Sequence, residues 1–399
     1  MPYYSKTPAR HIRIIIAADA NDIFSASVRV RALVSSKVPM RPTLKIKSYT
    51  IERVSLPDAD PNWRISGFAI PTNDGCIVTL TADDGTQGEG YAAAFAHLGA
   101  TQEGTYQALE SMCKRIVGRD ALAIEANMTV VRGTIRGNNP AKGAMDCALH
   151  DLLARVLKVP LYQVLGGKTR AKVPLLRILS IKSPAEVREK AKELTDKGYR
   201  YVKIKAAGNP KEDAERVKLV RQAVGDKVFI CVDPNQAYRT KSAIEFARRV
   251  EEYDVSILEQ PVGDADIASL ETIARNVAMP VEADESATMV EQVMDLTANR
   301  RIDAVNLKIP RSGGILNVMT MARLCEINNI GCRMGANVGS RLLAAHALHV
   351  AAALPNIDFA CELAEFERLQ NDPYEGLEVI DGELTVPDEI GTGVRRRAA

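Results

Sequence analysis

The chain has 399 residues, of which 46% are hydrophobic and 26% are charged, and its formal net charge is only +2. This length predicts two or three domains with a sizeable buried core, and the composition is typical of a soluble globular protein. The small net charge argues against a surface specialised as a whole for nucleic acids or for acidic substrates.

The seven cysteines are scattered along the chain and are never spaced as Cys-x-x-Cys. This pattern predicts free thiols in a reducing, cytoplasmic protein and gives no indication of zinc. No apolar run approaches the roughly 18 residues that a membrane-spanning helix needs. We therefore expect a soluble protein without a membrane partner.

Residues 1–42 differ from the rest of the chain because they contain seven Lys and Arg residues against two Asp. Such a segment could be an arm for nucleic acid or membrane, but it lacks interleaved aromatic residues and a clear amphipathic period. We expect a poorly ordered extension that binds no nucleic acid. Met40 opens the sequence "MRPTLKIKSYTIERV", which resembles a natural start.

Residues 43–168 predict an α+β domain. The segments "LKIKSYTIERVSL" and "GCIVTLTADDGTQGEGYAAA" alternate in polarity as strands do, and Asp83-Asp84-Gly85 is a hairpin signal. Two segments with helical spacing follow, "TYQALESMCKRIVG" and "AKGAMDCALHDLLARVLKVPLYQVLGG".

Residues 169–365 repeat short β-rich runs and amphipathic helices, with eight strands between "VPLLRILS" and "DFACELA". This alternation predicts a parallel (β/α)₈ barrel. A doubly wound open sheet is the alternative, but no Gly-x-Gly-x-x-Gly follows any predicted strand.

Ionisable residues end five consecutive predicted strands. The second strand lies in "YVKIKAAG", where Lys203 and Lys205 point the same way because side chains two apart share one side of a strand. The next four strands end, in order, with Asp233, Glu259, Asp284 and Lys308. From Lys205 onward these groups are 24 to 28 residues apart, which is one strand-helix unit. Because barrel enzymes react at the C-terminal ends of their strands, we expect one shared rim.

Three carboxylates on one rim repel one another and raise each other's pKa unless a cation lies between them. All-oxygen ligation by three carboxylates, with coordination positions left for water and substrate, suits Mg²⁺. One such strand-end residue alone would be a cap or an ion-pair partner, whereas five matched groups on successive strands indicate a reaction site.

The motifs "KIK", "VDPNQ", "LEQP", "EADES" and "NLKIPRSGG", together with the "GEG" around Glu89, resemble those of the enolase superfamily. The resemblance covers about Leu44 to Val386 and is specific for the muconate-lactonizing (muconate cycloisomerase) branch of the mandelate racemase/muconate lactonizing enzyme family. It implies a modified (β/α)₇β barrel with an N-terminal α+β capping domain, to which residues 366–399 return.

The resemblance also implies a role for each rim residue. Asp233, Glu259 and Asp284 would bind one Mg²⁺ per subunit. Lys205 and Lys308 would be the acid/base pair on opposite faces of the substrate. Lys203 would contact the substrate carboxylate and lower the pKa of Lys205.

The chemistry of these residue types agrees with that implication. Removing a proton α to a carboxylate leaves a dianionic enediolate, which needs positive charge placed in advance. The base must then be a neutral lysine, far below its ordinary pKa of about 10.4. Nearby positive charge and burial act in that direction.

Departures from related branches narrow the substrate class. Strand seven, "GCRMGANVGS", lacks the His of mandelate-racemase-like members, and "ACELAEF" replaces the Asp-x-Asp of dipeptide epimerases with Glu362 and Glu365, which argues against a dipeptide. Trp63, in a capping-domain loop, could recognise substrate or could simply pack between domains. The candidate substrate-binding residues are Trp63, Asn235, Glu285, Asn337 and Glu362.

The favoured function is racemisation or epimerisation of a small carboxylate, with an amino-acid derivative as one candidate, because two opposed lysines are what 1,1-proton transfer requires. A muconate-type cycloisomerase remains open, as does a lyase that dehydrates an acid sugar or hydroxy acid. A catalytically inactive barrel that serves as a binding protein is the non-enzyme alternative, but no ligand or base is missing. We expect a homo-oligomer, between a dimer and an octamer.

Overall fold

The computed structural model describes residues 43–96 and 99–398. The predicted extension, residues 1–42, lies outside the described residues. Across the described part of the chain, no helix combines the length and the apolar character needed to cross a membrane.

The N-terminal part of the described chain is an antiparallel sheet covered by helices. Its strands are β1 (Ile46–Pro57), β2 (Arg64–Ile65), β3 (Phe68–Ala69), β4 (Thr72–Ala82) and β5 (Gln87–Ala93). Its helices are α1 (Gln102–Ile116), α2 (Ile124–Thr134), α3 (Asn139–Leu157) and α4 (Leu161–Val164). The main sheet has the order β1-β4-β5, and β2 pairs with β3 in a separate hairpin.

The "GEG" motif brings α3 directly onto β5. A Cβ atom on Gly88 would lie 2.3 Å from the Ala148 carbonyl oxygen, and one on Gly90 would lie 2.0 Å from that of Ala144. Any side chain at these two positions would therefore push the helix away from the sheet. The predicted Asp83-Asp84-Gly85 hairpin joins β4 to β5.

Seven parallel strands form the barrel wall, and their order in space is their order in the chain. After β6 (Lys172–Pro174), these strands are β7 (Leu176–Leu179), β8 (Tyr201–Lys205), β9 (Phe229–Asp233), β10 (Ile257–Glu259), β11 (Val281–Ala283), β12 (Ala304–Lys308) and β13 (Gly331–Gly335). The helices are α5 (Pro184–Asp196), α6 (Pro210–Val224), α7 (Thr240–Arg249), α8 (Ile267–Asn276), α9 (Val290–Ala298), α10 (Ile309–Ser312), α11 (Ile315–Ile327) and α12 (Arg341–Ala353).

The segment predicted as the eighth strand closes the barrel through isolated bridges rather than a continuous ladder. Cys361 bridges to Leu175 on one side, and Glu362 bridges to Gly335 on the other. The Leu176 N–H donates to the Cys361 carbonyl at 2.9 Å, and the Glu362 N–H donates to that of Met334 at 2.9 Å. The predicted (β/α)₈-type barrel with an N-terminal α+β domain is therefore confirmed.

The residues after the barrel form β14 (Tyr374–Glu375), β15 (Val379–Ile380), β16 (Glu383–Thr385) and β17 (Arg395–Arg396). Strand β16 pairs with β6, and Arg396 donates to Glu52 and Glu89 of the N-terminal sheet. One cluster of buried hydrophobic side chains includes Leu56 and Tyr91 of that sheet together with Leu258 and Leu307 of the barrel. The two parts therefore share one continuous hydrophobic core.

Candidate active site

The predicted rim residues meet at the C-terminal mouth of the barrel. Lys203 and Lys205 lie on β8, Asp233 and Glu259 end β9 and β10, Asp284 follows β11, and Lys308 ends β12. Strand register places Lys205 beside Asp233. All six side chains are buried, with at most 6% of any of these residues exposed, so their charges are compensated by one another rather than by bulk water.

Two lysines on β8 contact different carboxylates. Lys205 Nζ donates to Asp233 Oδ2 at 2.5 Å and to Asn235 Oδ1 at 2.7 Å. Lys203 Nζ donates to Glu259 Oε2 at 2.8 Å, lies 3.3 Å from Asp233 Oδ2, and also contacts Glu362 Oε1. Lys203 therefore links three carboxylates.

Lys308, on β12, contacts a separate set of residues. Its Nζ donates to Asp284 Oδ2 at 2.6 Å, while Arg311 Nη1 lies 3.0 Å from the second oxygen of the same carboxylate. Arg311 also donates from Nε to Asn337 Oδ1 at 3.1 Å and lies 3.6 Å from Glu285. The predicted residues Glu285 and Asn337 thus belong to the Lys308 side of the site.

These contacts shift the pKa values of the buried groups. Burial disfavours the charged ammonium of Lys203, but Glu259, Glu362 and Asp233 outweigh it and hold its pKa well above the ordinary value. Burial would raise the pKa of Glu362, whereas Lys203 and Arg333 bring it down to about 2. Burial is the main cause that raises the pKa of Asp284, against the opposing charges of Arg311 and Lys308. Lys203 and Glu362 therefore form a fully charged pair at neutral pH.

Three charged residues of this cluster were missed by the strand-end analysis: Glu282, Arg311 and Arg333. Glu282 lies two residues before Asp284, so both side chains point into the barrel, and Arg333 lies in the middle of β13. The signal was present in the sequence as a charged residue inside each of two otherwise uncharged strand cores, "VEA" and "GCRMG".

The donor set suits a hard divalent cation. Asp233, Glu259 and Asp284 offer buried carboxylate oxygens. Asp284 Oδ1 accepts no hydrogen bond, and its neighbour is the Arg311 guanidinium at 3.0 Å. A different trio, Cys231, Glu259 and Glu282, has ligand atoms within 4.8 Å of one another among the described residues. That trio surrounds the guanidinium of Arg333, which already supplies its positive charge.

Two loops beside the lysines contain residues with a left-handed backbone conformation. Asn235 and Gln236 have φ of 44° and 70° directly after β9, and Asn337 and Val338 have φ of 63° and 47° directly after β13. This conformation is unusual for a β-branched residue such as Val338 and costs about 1 kcal/mol or more. With this backbone, Asn235 accepts from Lys205 and Asn337 accepts from Arg311. Such conformations are often found at functional sites.

An inner cavity of about 60 Å³ lies between the lysines, and a larger cavity of about 720 Å³ lies outside it. Both are lined by Trp63, Ile178 and Arg368. Trp63 is 8% exposed, and the Arg368 guanidinium stacks on its ring at 3.8 Å from the ring centre. Trp63 therefore both packs between the domains and forms part of the inner wall.

Two protein families together match most of this chain. Residues 52–166 match the family described as mandelate racemase / muconate lactonizing enzyme, N-terminal domain, and residues 186–398 match the enolase C-terminal domain-like family. The fold and the site thus define an isomerase of the enolase superfamily, as predicted. The chain belongs to the mandelate racemase/muconate lactonizing enzyme family.

Individual relatives have several activities. The chain is 32% identical to a chloromuconate cycloisomerase of Cupriavidus necator, over 70% of this chain and 76% of the relative. It is 29% identical to an N-succinyl-L-Arg/Lys racemase of Bacillus cereus, over 77% and 84%. A dipeptide epimerase of Enterococcus faecalis, solved with Mg and the dipeptide L-Leu-L-Tyr, superimposes with a TM-score of 0.84 at 28% identity, over 88% of this chain and 99% of that one.

Proposed function

We propose that this protein is a Mg²⁺-dependent racemase or epimerase that removes and returns the α-proton of a carboxylate substrate through an enediolate. The observation that carries the proposal is the pair of buried lysines, Lys205 and Lys308, each held against a different carboxylate on opposite sides of one cavity. Proton transfer on both faces of one carbon requires a proton carrier on each face.

Within this proposal, Asp233, Glu259 and Asp284 hold the metal, which when bound supplies positive charge beside the substrate carboxylate. Lys203 adds a fixed positive charge at the same place, because Glu259 and Glu362 keep it protonated. One of the two lysines, Lys205 or Lys308, removes the α-proton, and the other donates a proton to the opposite face. The buried cavity excludes bulk water that would screen these charges.

We further propose that the substrate is an amino-acid derivative whose α-nitrogen is acylated by a group that carries no free ammonium. The two carboxylates of the eighth segment that line the inner cavity already have cationic partners. Glu362 contacts Lys203 and Arg333, and Glu365 accepts from Arg368 Nε at 2.9 Å. A free substrate ammonium would have to displace these partners, whereas an acylated nitrogen carries no charge.

Asn73 supports an amide-bearing substrate. It lines the inner cavity, is fully buried, and neither its side-chain oxygen nor its nitrogen has a hydrogen-bond partner. A buried carboxamide without partners is costly, and a substrate amide offers the matching donor and acceptor. The outer cavity of about 720 Å³ has room for the acyl group or side chain.

The test is solvent exchange. N-succinyl and N-acetyl amino acids, dipeptides with a free amino terminus and cis,cis-muconate are each incubated with enzyme and Mg²⁺ in D₂O, and α-deuterium is followed by NMR. We expect exchange and racemisation of the N-acylated compounds, with kcat/KM lowered at least tenfold in Asn73→Leu. Turnover of dipeptides alone would overturn the assignment of an acyl group without an ammonium.

Cycloisomerisation is the second candidate, because a chloromuconate cycloisomerase is 32% identical to this chain. It requires proton transfer on one face only. Loss of the muconate diene absorbance without α-exchange of any amino-acid derivative would replace the first proposal with this one.

We also propose the domain division 43–168, 169–365 and 366–399, a cytoplasmic location and a homo-oligomer. All seven cysteines are free and buried, which is consistent with a reducing compartment. Ile327 at the end of α11 is 79% exposed, which is unusual for a large apolar side chain and is compatible with burial between subunits. Light scattering of the purified protein tests the oligomeric state.

A further inference from the structure

A fully buried arginine lies in the barrel interior below the rim. Arg333 on β13 has no exposed surface, and neither has Glu282 on β11. The Arg333 Nε donates to Glu282 Oε1 at 2.9 Å, and its Nη2 donates to Glu282 Oε2 at 2.6 Å. These two parallel hydrogen bonds fix the plane of the guanidinium.

The remaining contacts of the same guanidinium point up to the site. Nη2 also donates to Glu259 Oε2 at 2.6 Å, and Nη1 lies 2.8 Å from Glu362 Oε1. Because the guanidinium is rigid and planar, holding one edge against Glu282 sets the direction of both terminal nitrogens. Arg333 therefore joins Glu282 to two carboxylates of the proposed site.

We propose that Arg333 is a positioning residue that orients Glu259 and Glu362, and that Glu282 is the group that holds Arg333 in place. Oε2 of Glu259 is committed to Arg333 and Lys203, while Oε1, which accepts from Asn306 Nδ2 at 3.1 Å, is the oxygen left for a metal. This inference rests on the proposed function insofar as Glu259 is a metal ligand there.

The competing explanation is that Arg333 only neutralises Glu282. A buried ion pair adds little net stability, and replacing both partners with apolar residues of similar volume is often neutral, whereas removing one partner is strongly destabilising. The two explanations therefore differ in what the double replacement does to the site. If Arg333 only neutralises Glu282, replacing both leaves the site unchanged, whereas a positioning role predicts a defect that remains after both are replaced.

The test compares Arg333→Met with the double variant Glu282→Met/Arg333→Met. The measurements are the unfolding temperature, Mn²⁺ affinity by electron paramagnetic resonance, and kcat and KM separately. We expect the single variant to unfold at a lower temperature and the double variant to recover. The double variant should still bind Mn²⁺ about 10- to 100-fold more weakly, with a fall in kcat larger than the rise in KM. Recovery of Mn²⁺ affinity and kcat to wild-type values would overturn the positioning role.

Glu282→Gln tests the proposal even if the double variant does not fold. This change preserves the shape of the side chain and weakens only its hydrogen bonds to Arg333. We expect a several-fold loss of Mn²⁺ affinity, and no change in either affinity or kcat would overturn the proposal even if the double variant did not fold. Arg221→Met is the matched control, since this buried arginine of α6 donates to backbone carbonyls, including those of Tyr253 and Val228. It should lower the unfolding temperature and leave Mn²⁺ affinity unchanged.

A wild-type protein that binds no Mn²⁺ would overturn the proposed function as well, whereas unchanged variants alone overturn only the role of Arg333.

Discussion

The two sides of the cavity use the same residue type in different surroundings. Lys205 shares its ammonium between a carboxylate, Asp233, and a neutral amide, Asn235. Lys308 contacts Asp284, whose other oxygen faces the guanidinium of Arg311. Lys205 thus has a second hydrogen-bond acceptor, whereas on the Lys308 side it is the carboxylate, Asp284, that has a second cationic partner. The two lysines should therefore not be interchangeable, and variants can separate their roles.

The largest effect is expected from removing either lysine. Lys205→Ala and Lys308→Ala should each abolish racemisation, because both faces must exchange a proton, with losses in kcat of about 10²- to 10⁴-fold or more. Each variant should still exchange the α-proton of one enantiomer with D₂O, and the two variants should retain opposite enantiomers. NMR of each pure enantiomer in D₂O measures this difference.

The result that would contradict the two-base assignment is racemisation at the wild-type rate by Lys308→Ala. Lys308 would then only stabilise the enediolate charge. Such a one-sided site would favour the cycloisomerase alternative.

The next effect concerns the carboxylates on each side. Asp233→Asn and Asp284→Asn each remove one proposed ligand, so Mn²⁺ affinity should fall at least tenfold in both. Titration calorimetry with Mg²⁺ or Mn²⁺ checks this, and EDTA treatment of the wild type should abolish α-exchange. Asp303→Asn is the control, because this exposed carboxylate accepts from the Val281 N–H at the opposite end of the barrel. Unchanged metal affinity in both rim variants would exclude these carboxylates as ligands.

That the strand-end residues lie close together could be predicted from the sequence. One strand-helix unit separates each pair of successive groups, and parallel strands in a barrel end at a common face. The lysine-carboxylate pairs between neighbouring strands, such as Lys205 with Asp233, follow from that order. The fold class follows equally from the alternation of strands and helices.

Contacts across the barrel interior could not be predicted in the same way. Lys203 on β8 reaches Glu362 of the eighth segment, and Arg333 on β13 reaches Glu282 on β11, because the tilt of the strands brings side chains of different strands into one layer. Sequence spacing gives the angle around the barrel but not the depth within it. The charged residues inside β11 and β13 were detectable, but their partners depend on that depth.

A smaller effect is expected from filling the space beside Lys308. A Cβ atom on Gly335 would lie 2.6 Å from Lys308 Cε, so Gly335→Ala should displace this lysine. We expect α-exchange on the Lys308 face to fall about tenfold, with a smaller loss on the Lys205 face, again measured with single enantiomers in D₂O. Equal losses on both faces would show that Gly335 acts on the whole site and not on Lys308.

Gly331→Ala is the matched control on the same strand. Its Cβ atom would meet Phe359 Cε2 at 2.7 Å, at the end of β13 away from the lysines. This variant should lower the unfolding temperature and leave the ratio of the two exchange rates at the wild-type value.

The smallest effect is expected from the two asparagines that flank the site. Asn235→Ala removes the neutral acceptor of Lys205, and Asn337→Ala removes the partner of Arg311 Nε, which is one step further from Lys308. Loss of one hydrogen bond to a charged group costs about 1.5 to 3 kcal/mol, or roughly ten- to a hundredfold. That loss is an upper limit here, because Lys205 keeps Asp233 as a partner. Asn235→Ala should therefore lower exchange on the Lys205 face by about fivefold, and Asn337→Ala should lower it on the Lys308 face by about twofold. If Asn337→Ala had the larger effect, Arg311 would be acting on the proton carrier itself, and the asymmetry between the two sides would be reversed.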